Sequence, residues 1–141
     1  MELVKKGNIE YYVFNNLKGV KHCFSTRKGG VSEGCYESMN LGWREDKAEN
    51  VIENYRLICN AIGCDSHNTV WTRQIHTDRI INVTEADRGK GLFRDRELEG
   101  YDGVITNCKD VVLTGFSADC VLVYFYDPVK KVIGICHSGW R

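Results

Sequence analysis

Near the C-terminal end of the chain, a cysteine and a histidine occur at a spacing that two paired strands can bring together. Cys120 opens the apolar run "CVLVYFY", and His137 closes the run "KVIGICH". If residues 127–130 form a four-residue hairpin loop, Tyr126 faces Lys131 and Cys120 lies directly opposite His137. Directly opposed side chains share a face of the sheet, with Cβ atoms about 4.5–5.5 Å apart. A thiolate and an imidazole in this arrangement can bind one zinc ion, at about 2.3 Å and 2.0 Å respectively.

An ordinary structural interpretation competes with this one. Cysteine is among the most buried residue types, so Cys120 is equally explained as a core residue. His137 is equally explained as a hydrogen-bonded side chain at the end of a strand. A register shifted by one residue would place the two side chains on opposite faces. Cys136 faces away from His137 in the predicted register, and we expect it to lie in the core.

A zinc site needs a third protein ligand. The remaining histidines are His22, His67 and His76. His76 follows a strand-like run, and Gln74 on the same strand face could support a site. Spacing alone does not choose among the three histidines.

The elements that must position these residues are mostly strands. Apolar residues recur at helical spacing from Asp46 to Gly63, where Asp46 and Glu49 have the spacing of a capping box and Gly63 is a natural stop. The strand-like runs are IEYYVF, VKHCFST, TVWTRQIH, RIINVT, YDGVITN, VVLTGF, CVLVYFY and KVIGICH. One helix among many strands predicts an α+β fold rather than a regular βαβ alternation.

Composition excludes several classes of function. Lys+Arg and Asp+Glu both number 19, so no net charge attracts nucleic acid or an anionic membrane surface. The longest apolar run, VLVYFY, is too short to span a bilayer, and the N-terminus lacks the apolar segment of a signal peptide. We therefore expect a cytoplasmic protein without nucleic-acid or membrane partners.

The number of cysteines indicates the state of the thiols, and the chain length indicates the number of domains. Seven cysteines with no CxxC pair predict buried thiols, with one ligand or nucleophile among them, rather than a disulfide framework. At 141 residues, the chain is expected to form a single module over 1–141. Nothing in the sequence points to a particular oligomeric state.

Seven motifs occur in the same order as in a known family. They are FSTRKGG (24–30), VSEG (31–34), MNLG (39–42), QIHT (74–77), YDGVIT (101–106), ADC (118–120) and HSGWR (137–141). Together they resemble the polyphenol oxidase or laccase-domain family (YfiH-like), several of whose members act as purine nucleoside enzymes. The resemblance covers nearly the whole chain, and it implies mixed β-sheet layers with flanking helices.

The resemblance also implies a metal site and an activity. By motif, His76, Cys120 and His137 correspond to the family's ligands for one metal ion, usually described as zinc. Three protein ligands leave an open position, which is the pattern of a catalytic zinc site. Copper is an alternative occupant. The implied reactions are hydrolytic deamination of adenosine and phosphorolysis of adenosine, inosine, guanosine and methylthioadenosine, so the partners are purine nucleosides and phosphate.

Two candidate catalytic residues lie in the first half of the chain. Phosphorolysis needs an anion site, and Arg27 with the backbone N–H groups of Gly29 and Gly30 could form one. The alternative is a solvated basic turn, and this alternative also applies to Lys28. Asn40 is a candidate polar contact to the substrate, although an Asn in this position also suits a turn.

Two further candidates lie beside the metal ligands in sequence. Gln74 is a candidate for positioning a histidine ring. Asp119, next to Cys120, is a candidate partner of the ligands or carrier of a proton. Strict strand alternation would point Asp119 to the other face.

The chain departs from the family pattern in two ways. Leu122 occupies a position where the family commonly has proline, which affects packing rather than the ligands. The family domain also continues past the H-x-G-W-R motif. We therefore expect residues 1–141 to be the N-terminal part of a longer domain, truncated at its C-terminus, with an unpaired sheet edge and an incomplete substrate pocket.

Three other functions are alternatives to the nucleoside enzyme. A multicopper laccase is not expected, because it needs a trinuclear cluster held by many imidazoles and only His22 and His67 remain. A metal-free cysteine hydrolase would use Cys120 as the nucleophile and His137 as the base. A non-catalytic metal-binding fragment would have the complete ligand set but no turnover.

Overall fold

The structure of the chain, a computed structural model, describes residues 1–43, 46–94 and 98–140. Its elements are strands β1 (Glu2–Lys6), β2 (Ile9–Val13), β3 (Phe24–Ser25), β4 (Thr69–Val70), β5 (Ile80–Asn82), β6 (Gly103–Thr106), β7 (Val112–Leu113), β8 (Val121–Asp127) and β9 (Val132–Ser138), helix α1 (Ala48–Ile62), and short 3-10 turns at Gly34–Tyr36, Ser66–Asn68 and Glu85–Asp87. Among these residues, no helix is both long and apolar enough to cross a membrane. The α+β prediction is confirmed, since several sheets accompany one helix.

The chain divides into two compact units, Met1–Ser66 and His67–Arg141. In the first unit, β1, β2 and β3 form an antiparallel sheet in that order. Strand β1 is absent from the sequence prediction. The first unit holds Arg27 and Asn40, and the second holds the three candidate metal ligands. The single module over 1–141 stays a prediction.

Helix α1 forms as the apolar periodicity predicts, but its start differs. The buried face is Val51, Asn54, Tyr55, Ile58, Cys59 and Ala61, which recur every three or four residues. The predicted capping box is wrong, because the N-cap is Lys47 and no side chain caps it. The carboxylate of Asp46 instead accepts hydrogen bonds from Ser32 and Asn40. Gly63 ends the helix with φ +73°, the left-handed conformation that glycine adopts without a Cβ penalty.

The second unit contains a two-stranded parallel sheet, β4 with β7, and a four-stranded sheet in the order β5-β6-β9-β8. In the larger sheet, β5 and β6 run parallel and the other neighbours are antiparallel. Its inner face packs into the core through Val104, Ile135, Leu122 and Tyr124. This face also carries His137, so the core of the second unit supports the candidate metal centre.

The outer face of the larger sheet is apolar as well. Val123 and Phe125 of β8 and Ile105 of β6 are exposed there. Cys136 is half-buried and lines an apolar groove with Ile105 and Phe125. The prediction that Cys136 lies in the core is therefore wrong. It alternates with the inward-facing His137, and the face to which it points is not covered by the described residues.

The β8–β9 hairpin has the predicted partners but a different register. Asp127 pairs with Val132, so the loop is residues 128–131 and the residue opposite His137 is Leu122, not Cys120. The Asp127 carboxylate accepts the N–H groups of Val129 and Lys130, which places the turn one residue later than predicted. The shift moves each partner by two residues and therefore keeps every side chain on the predicted face.

Candidate metal centre

The structure brings His76, Cys120 and His137 together. One ligand atom from each lies within 4.8 Å of the other two. The Nε2 atom of His76 lies 3.8 Å from the Cys120 sulfur. The rings of His76 and His137 meet edge to face, with centroids 4.8 Å apart. Cys120 and His137 are each only 8% exposed, whereas His76 is exposed, so the cluster is buried on one side and open on the other.

This donor set fits a single metal ion. In a tetrahedral zinc site with Zn–N near 2.0 Å and Zn–S near 2.3 Å, a nitrogen and a sulfur ligand lie about 3.5 Å apart. The observed distance of 3.8 Å between His76 Nε2 and Cys120 Sγ is close to this value. Two imidazoles and a thiolate also belong to the ligand types of zinc, and copper accepts the same set. The residues present could therefore hold one such ion.

Asp102 lies directly behind the cluster. It is 3% exposed, and its carboxylate contacts Nδ1 of His137 at 2.8 Å. The same carboxylate accepts the backbone N–H groups of Ile75, His76 and Thr77 at 2.9–3.0 Å. Burial alone would raise the pKa of Asp102, but the hydrogen bonds from Thr77, His137, Ile75 and His76 together lower it below its ordinary value. Asp102 is thus an ionised acceptor that contacts both histidine segments.

The strand-like run TVWTRQIH, which leads to His76, is mostly not a strand. Only Thr69–Val70 is a strand, and His76 lies in a loop with φ +64°. This conformation is uncommon for a residue other than glycine. Gln74 therefore lies on a loop rather than on a strand face. The loop, not a strand end, presents the His76 ring.

Gln74 connects this loop to the segment that carries Cys120. Its Nε2 donates to the carbonyl of Phe116 at 2.8 Å, and its Oε1 accepts from the N–H of Phe116 at 2.7 Å. Within the same segment, the hydroxyl of Ser117 donates to the carbonyl of Cys120. Gln74 thus holds the approach to Cys120 rather than a histidine ring. Asp119 is exposed beside Cys120.

The predicted anion-binding donors of the first unit already bind other groups of that unit. Arg27 donates through Nε and Nη2 to the carbonyl of Glu37 at 3.0 and 2.9 Å. The N–H groups of Gly29 and Gly30 donate to the hydroxyl of Ser38. These bonds use the donors on which the predicted phosphate site depends. The site stays a prediction, and phosphate would have to replace the Glu37 carbonyl and the Ser38 hydroxyl.

Asn40 has the contacts of a turn residue. Its Oδ1 accepts from the N–H of Gly42, and its Nδ2 donates to the carbonyl of Gly42 and to Asp46. A contact with substrate would be additional to this role. Arg141, the last residue of the HSGWR motif, lies outside the described residues.

Comparison with known proteins agrees with this geometry. The sequence pattern of a family described as "Multi-copper polyphenol oxidoreductase laccase" matches residues 21–141. The chain belongs to this family. The resemblance seen in the seven motifs is therefore confirmed. The family's description contains copper and laccase, but the His–Cys–His cluster here offers three ligands for one ion.

Named relatives and solved structures cover the same residues. The chain is 41% identical over 128 residues to purine nucleoside phosphorylase YlmD of Bacillus subtilis, covering 89% of this chain and 46% of the relative. It is 37% identical to purine nucleoside phosphorylase LACC1 of Mus musculus, covering 85% of this chain and 26% of the relative. The crystal structure of YlmD from Geobacillus stearothermophilus matches with a TM-score of 0.86 at 28% identity, covering 98% of this chain and 52% of that one. The chain thus spans about half the length of the bacterial relatives it matches.

Asp102 is the site residue that the sequence analysis missed. The YDGVIT motif contains it, but its partners lie 25–27 and 35 positions away along the chain. One signal in the sequence could have indicated its role. Asp102 directly precedes an apolar strand that begins with Gly103, and a carboxylate buried there needs hydrogen-bond donors.

Proposed function

We propose that this chain provides the zinc centre of a purine nucleoside enzyme, with His76, Cys120 and His137 as the metal ligands. The proposed reactions are phosphorolysis of adenosine, inosine, guanosine and methylthioadenosine, and hydrolytic deamination of adenosine. The observation that carries the proposal is the convergence of the three ligand atoms within 4.8 Å. Relatives named purine nucleoside phosphorylase, which match most of this chain, support the choice of substrate class.

The burial of the cluster suits catalysis better than a purely structural site. When bound, zinc supplies a Lewis acid and acidifies water. Cys120 and His137 are buried and would hold the ion from the protein side, whereas His76 is exposed. Three protein ligands leave a fourth position on this open side for a reacting molecule. Asp119, exposed beside Cys120, is the proposed carrier of a proton to or from the substrate.

Phosphorolysis adds the need for an anion site. A phosphate oxygen bonds to C1′ of the ribose as the bond from C1′ to the purine breaks, so the phosphate must be held and its charge balanced. We assign this role to Arg27, whose guanidinium would leave the Glu37 carbonyl to bind phosphate. Asn40 is the proposed polar contact to the nucleoside. We retain the cytoplasm as the proposed location.

The experiment that tests this function measures adenosine turnover with and without phosphate. Arg27→Ala should raise KM for phosphate by about 10- to 100-fold, the effect expected from losing a hydrogen bond to a charged group. Deamination should continue, because it needs no phosphate. Lys28→Ala is the matched control, since this neighbouring cation pairs with Glu10 at 3.5 Å. Equal losses in both variants would contradict the role of Arg27. Bound zinc without any turnover would favour the non-catalytic metal-binding fragment.

One contact favours the cysteine hydrolase as the second candidate. The Cys120 sulfur lies 3.8 Å from Nε2 of His76, so a base is adjacent to the thiol. In this structure the contacting base is His76 rather than the predicted His137. Iodoacetamide labelling of Cys120 that zinc does not change would support the hydrolase. Protection of Cys120 by zinc would count against it.

A further inference from the structure

The four hydrogen bonds to Asp102 are divided evenly between its two oxygens. Oδ1 accepts from the N–H of His76 at 2.9 Å and contacts Nδ1 of His137 at hydrogen-bond distance, 2.8 Å. Oδ2 accepts from the N–H groups of Ile75 and Thr77, both at 3.0 Å. The backbone carbonyl of Asp102 also accepts from the N–H of His137 at 2.7 Å. One buried residue therefore contacts both histidine segments of the cluster.

We propose that Asp102 is the positioning residue of the metal centre, fixing the tautomer of His137 and the loop conformation of His76 at once. That the cluster is a metal centre rests on the proposed function. The effect of Asp102 on the two histidines does not depend on a bound metal. Asp102 need not touch a substrate or an ion to act in this way.

The tautomer of His137 follows from the chemistry of its partner. An ionised carboxylate accepts hydrogen bonds and cannot donate them, so the proton of neutral His137 must be on Nδ1. The lone pair is then on Nε2, the atom turned away from Asp102. Carboxylate groups that orient a histidine ligand in this way are a recurring part of metal sites.

The conformation of His76 follows from the three amides. Successive N–H groups that converge on one point form an anion-binding concavity, and here the anion is the carboxylate of Asp102. His76 has φ +64° inside this concavity, a conformation that a non-glycine residue adopts only when its surroundings hold it. Without the carboxylate, the partial positive charges of the three converging N–H groups would repel one another. The loop would then relax to another conformation.

Asparagine cannot replace this arrangement. Its side chain has the same shape but only one acceptor oxygen, while its NH₂ group donates. Whichever way the amide is oriented, two of the four donors face another donor. Asp102→Asn therefore disturbs either the His137 ring and the His76 amide or the Ile75 and Thr77 amides. Glutamate keeps both acceptors but moves them by one methylene group.

The test compares Asp102→Asn with Asp127→Asn. Asp127 also accepts two backbone N–H groups, at the β8–β9 turn, and it has no part in the proposed centre. Zinc affinity is measured by competition with a chelator, and Co²⁺ substitution reports the thiolate ligand through its absorption spectrum. Asp102→Asn should bind zinc about 10- to 100-fold more weakly and change the Co²⁺ spectrum, whereas Asp127→Asn should change neither. A folded Asp102→Asn variant with wild-type affinity and spectrum would overturn the proposal.

A second measurement separates this proposal from the zinc function. Long-range ¹H–¹⁵N spectra of the metal-free wild-type protein identify the protonated nitrogen of His137. We expect the Nδ1–H form alone in the wild type and a mixture of tautomers in Asp102→Asn. His137 in the Nε2–H form in the wild type would overturn the proposal, even if Asp102→Asn failed to fold. If the wild type bound no zinc but showed the Nδ1–H form, the zinc function would fail and the positioning role would stand.

Discussion

A polar cluster in each unit of the described structure shows a different pattern of side-chain contacts. In the first unit, Asn54 is fully buried and connects Val31, Ser32 and Asn40 through bonds of 2.8 Å. Every partner there is another group of the same unit. In the second unit, three ligand atoms of His76, Cys120 and His137 converge on one another and on one open side.

This difference separates polar residues that stabilise the fold from residues that are candidates for binding a metal ion. The glycine loop of the first unit satisfies its own donors, so folding accounts for these hydrogen bonds, and the proposed phosphate and nucleoside contacts of Arg27 and Asn40 would be additional to them. The second cluster brings together an imidazole nitrogen and a sulfur at 3.8 Å, a weak contact on its own. The proposed metal ion between such atoms would explain why they converge.

The largest expected contrast between the two units is in the labelling of their thiols, those of the first unit against Cys120 of the second. Burial, with Cys64 nearby, raises the pKa of Cys23 to about 12, and burial likewise raises the pKa of Cys59 to about 12. At about pH 8 such thiols are ionised to about one part in ten thousand, so iodoacetamide should leave them unlabelled. Exposed Cys35 should react at once. Mass spectrometry of tryptic peptides gives the extent of labelling at each cysteine.

The role of zinc in this labelling sharpens the contrast. Zinc should slow the labelling of Cys120 and leave Cys23, Cys59 and Cys35 unchanged. Because both raised pKa values favour the thiol form, labelling of Cys23 and Cys59 should increase only as the pH rises toward about 12. Zinc protection of Cys35 would show that the first unit also binds metal, and the comparison would fail.

The second largest effect is expected from Asn54→Ala. The change leaves the Val31 N–H, the Ser32 hydroxyl and the Asn40 carbonyl without their buried partner. We expect a loss of about 3 kcal/mol in the free energy of unfolding, measured by urea denaturation. Asn60→Ala, on an exposed position of the same helix, is the matched control and should cost far less. The zinc content of folded Asn54→Ala should be unchanged, and a loss of zinc would contradict a purely structural role for Asn54.

A smaller effect is expected from Gln74→Ala. This change removes both hydrogen bonds to the backbone of Phe116, at a part-buried position. We expect a cost of about 1–2 kcal/mol and a few-fold weaker binding of zinc, because the segment before Cys120 is less restrained.

Gln74→Glu separates these two hydrogen bonds. It keeps the acceptor for the Phe116 N–H and places an oxygen against the Phe116 carbonyl. It should destabilise the fold without changing any of the three candidate metal ligands. Unchanged zinc affinity in both Gln74 variants would show that Gln74 does not position the site.

Local patterns predicted most of the elements, and side-chain hydrogen bonds decided where they begin and pair. The periodicity of α1 predicted the helix, and the turn residues at 127–130 predicted the hairpin. The hairpin register was wrong by two residues because the contacts of Asp127 with Val129 and Lys130 are not visible in a turn signal. The capping box was wrong because the helix begins one residue later, with Lys47 as the N-cap, and Asp46 accepts hydrogen bonds from Ser32, Asn40 and the N–H of Lys47.

The candidate site was predictable only in part from the residues. Cys120 and His137 were paired from strand spacing, and the face was right because a two-residue shift preserves it. The choice of His76 came from the family motif, because its loop with φ +64° has no periodicity to indicate where the ring points. Asp102 was missed for a similar reason, since its value lies in contacts with segments far away in the chain.

The most direct test of the central claim is elemental analysis of the purified protein for zinc and copper, on the wild type and on Cys120→Ala. We predict one zinc ion per wild-type chain and a loss of that zinc in Cys120→Ala, with Cys136→Ala retaining it because Cys136 faces the outer side of the sheet. A folded wild-type protein that binds neither metal, or a Cys120→Ala variant that keeps its zinc, would contradict the account.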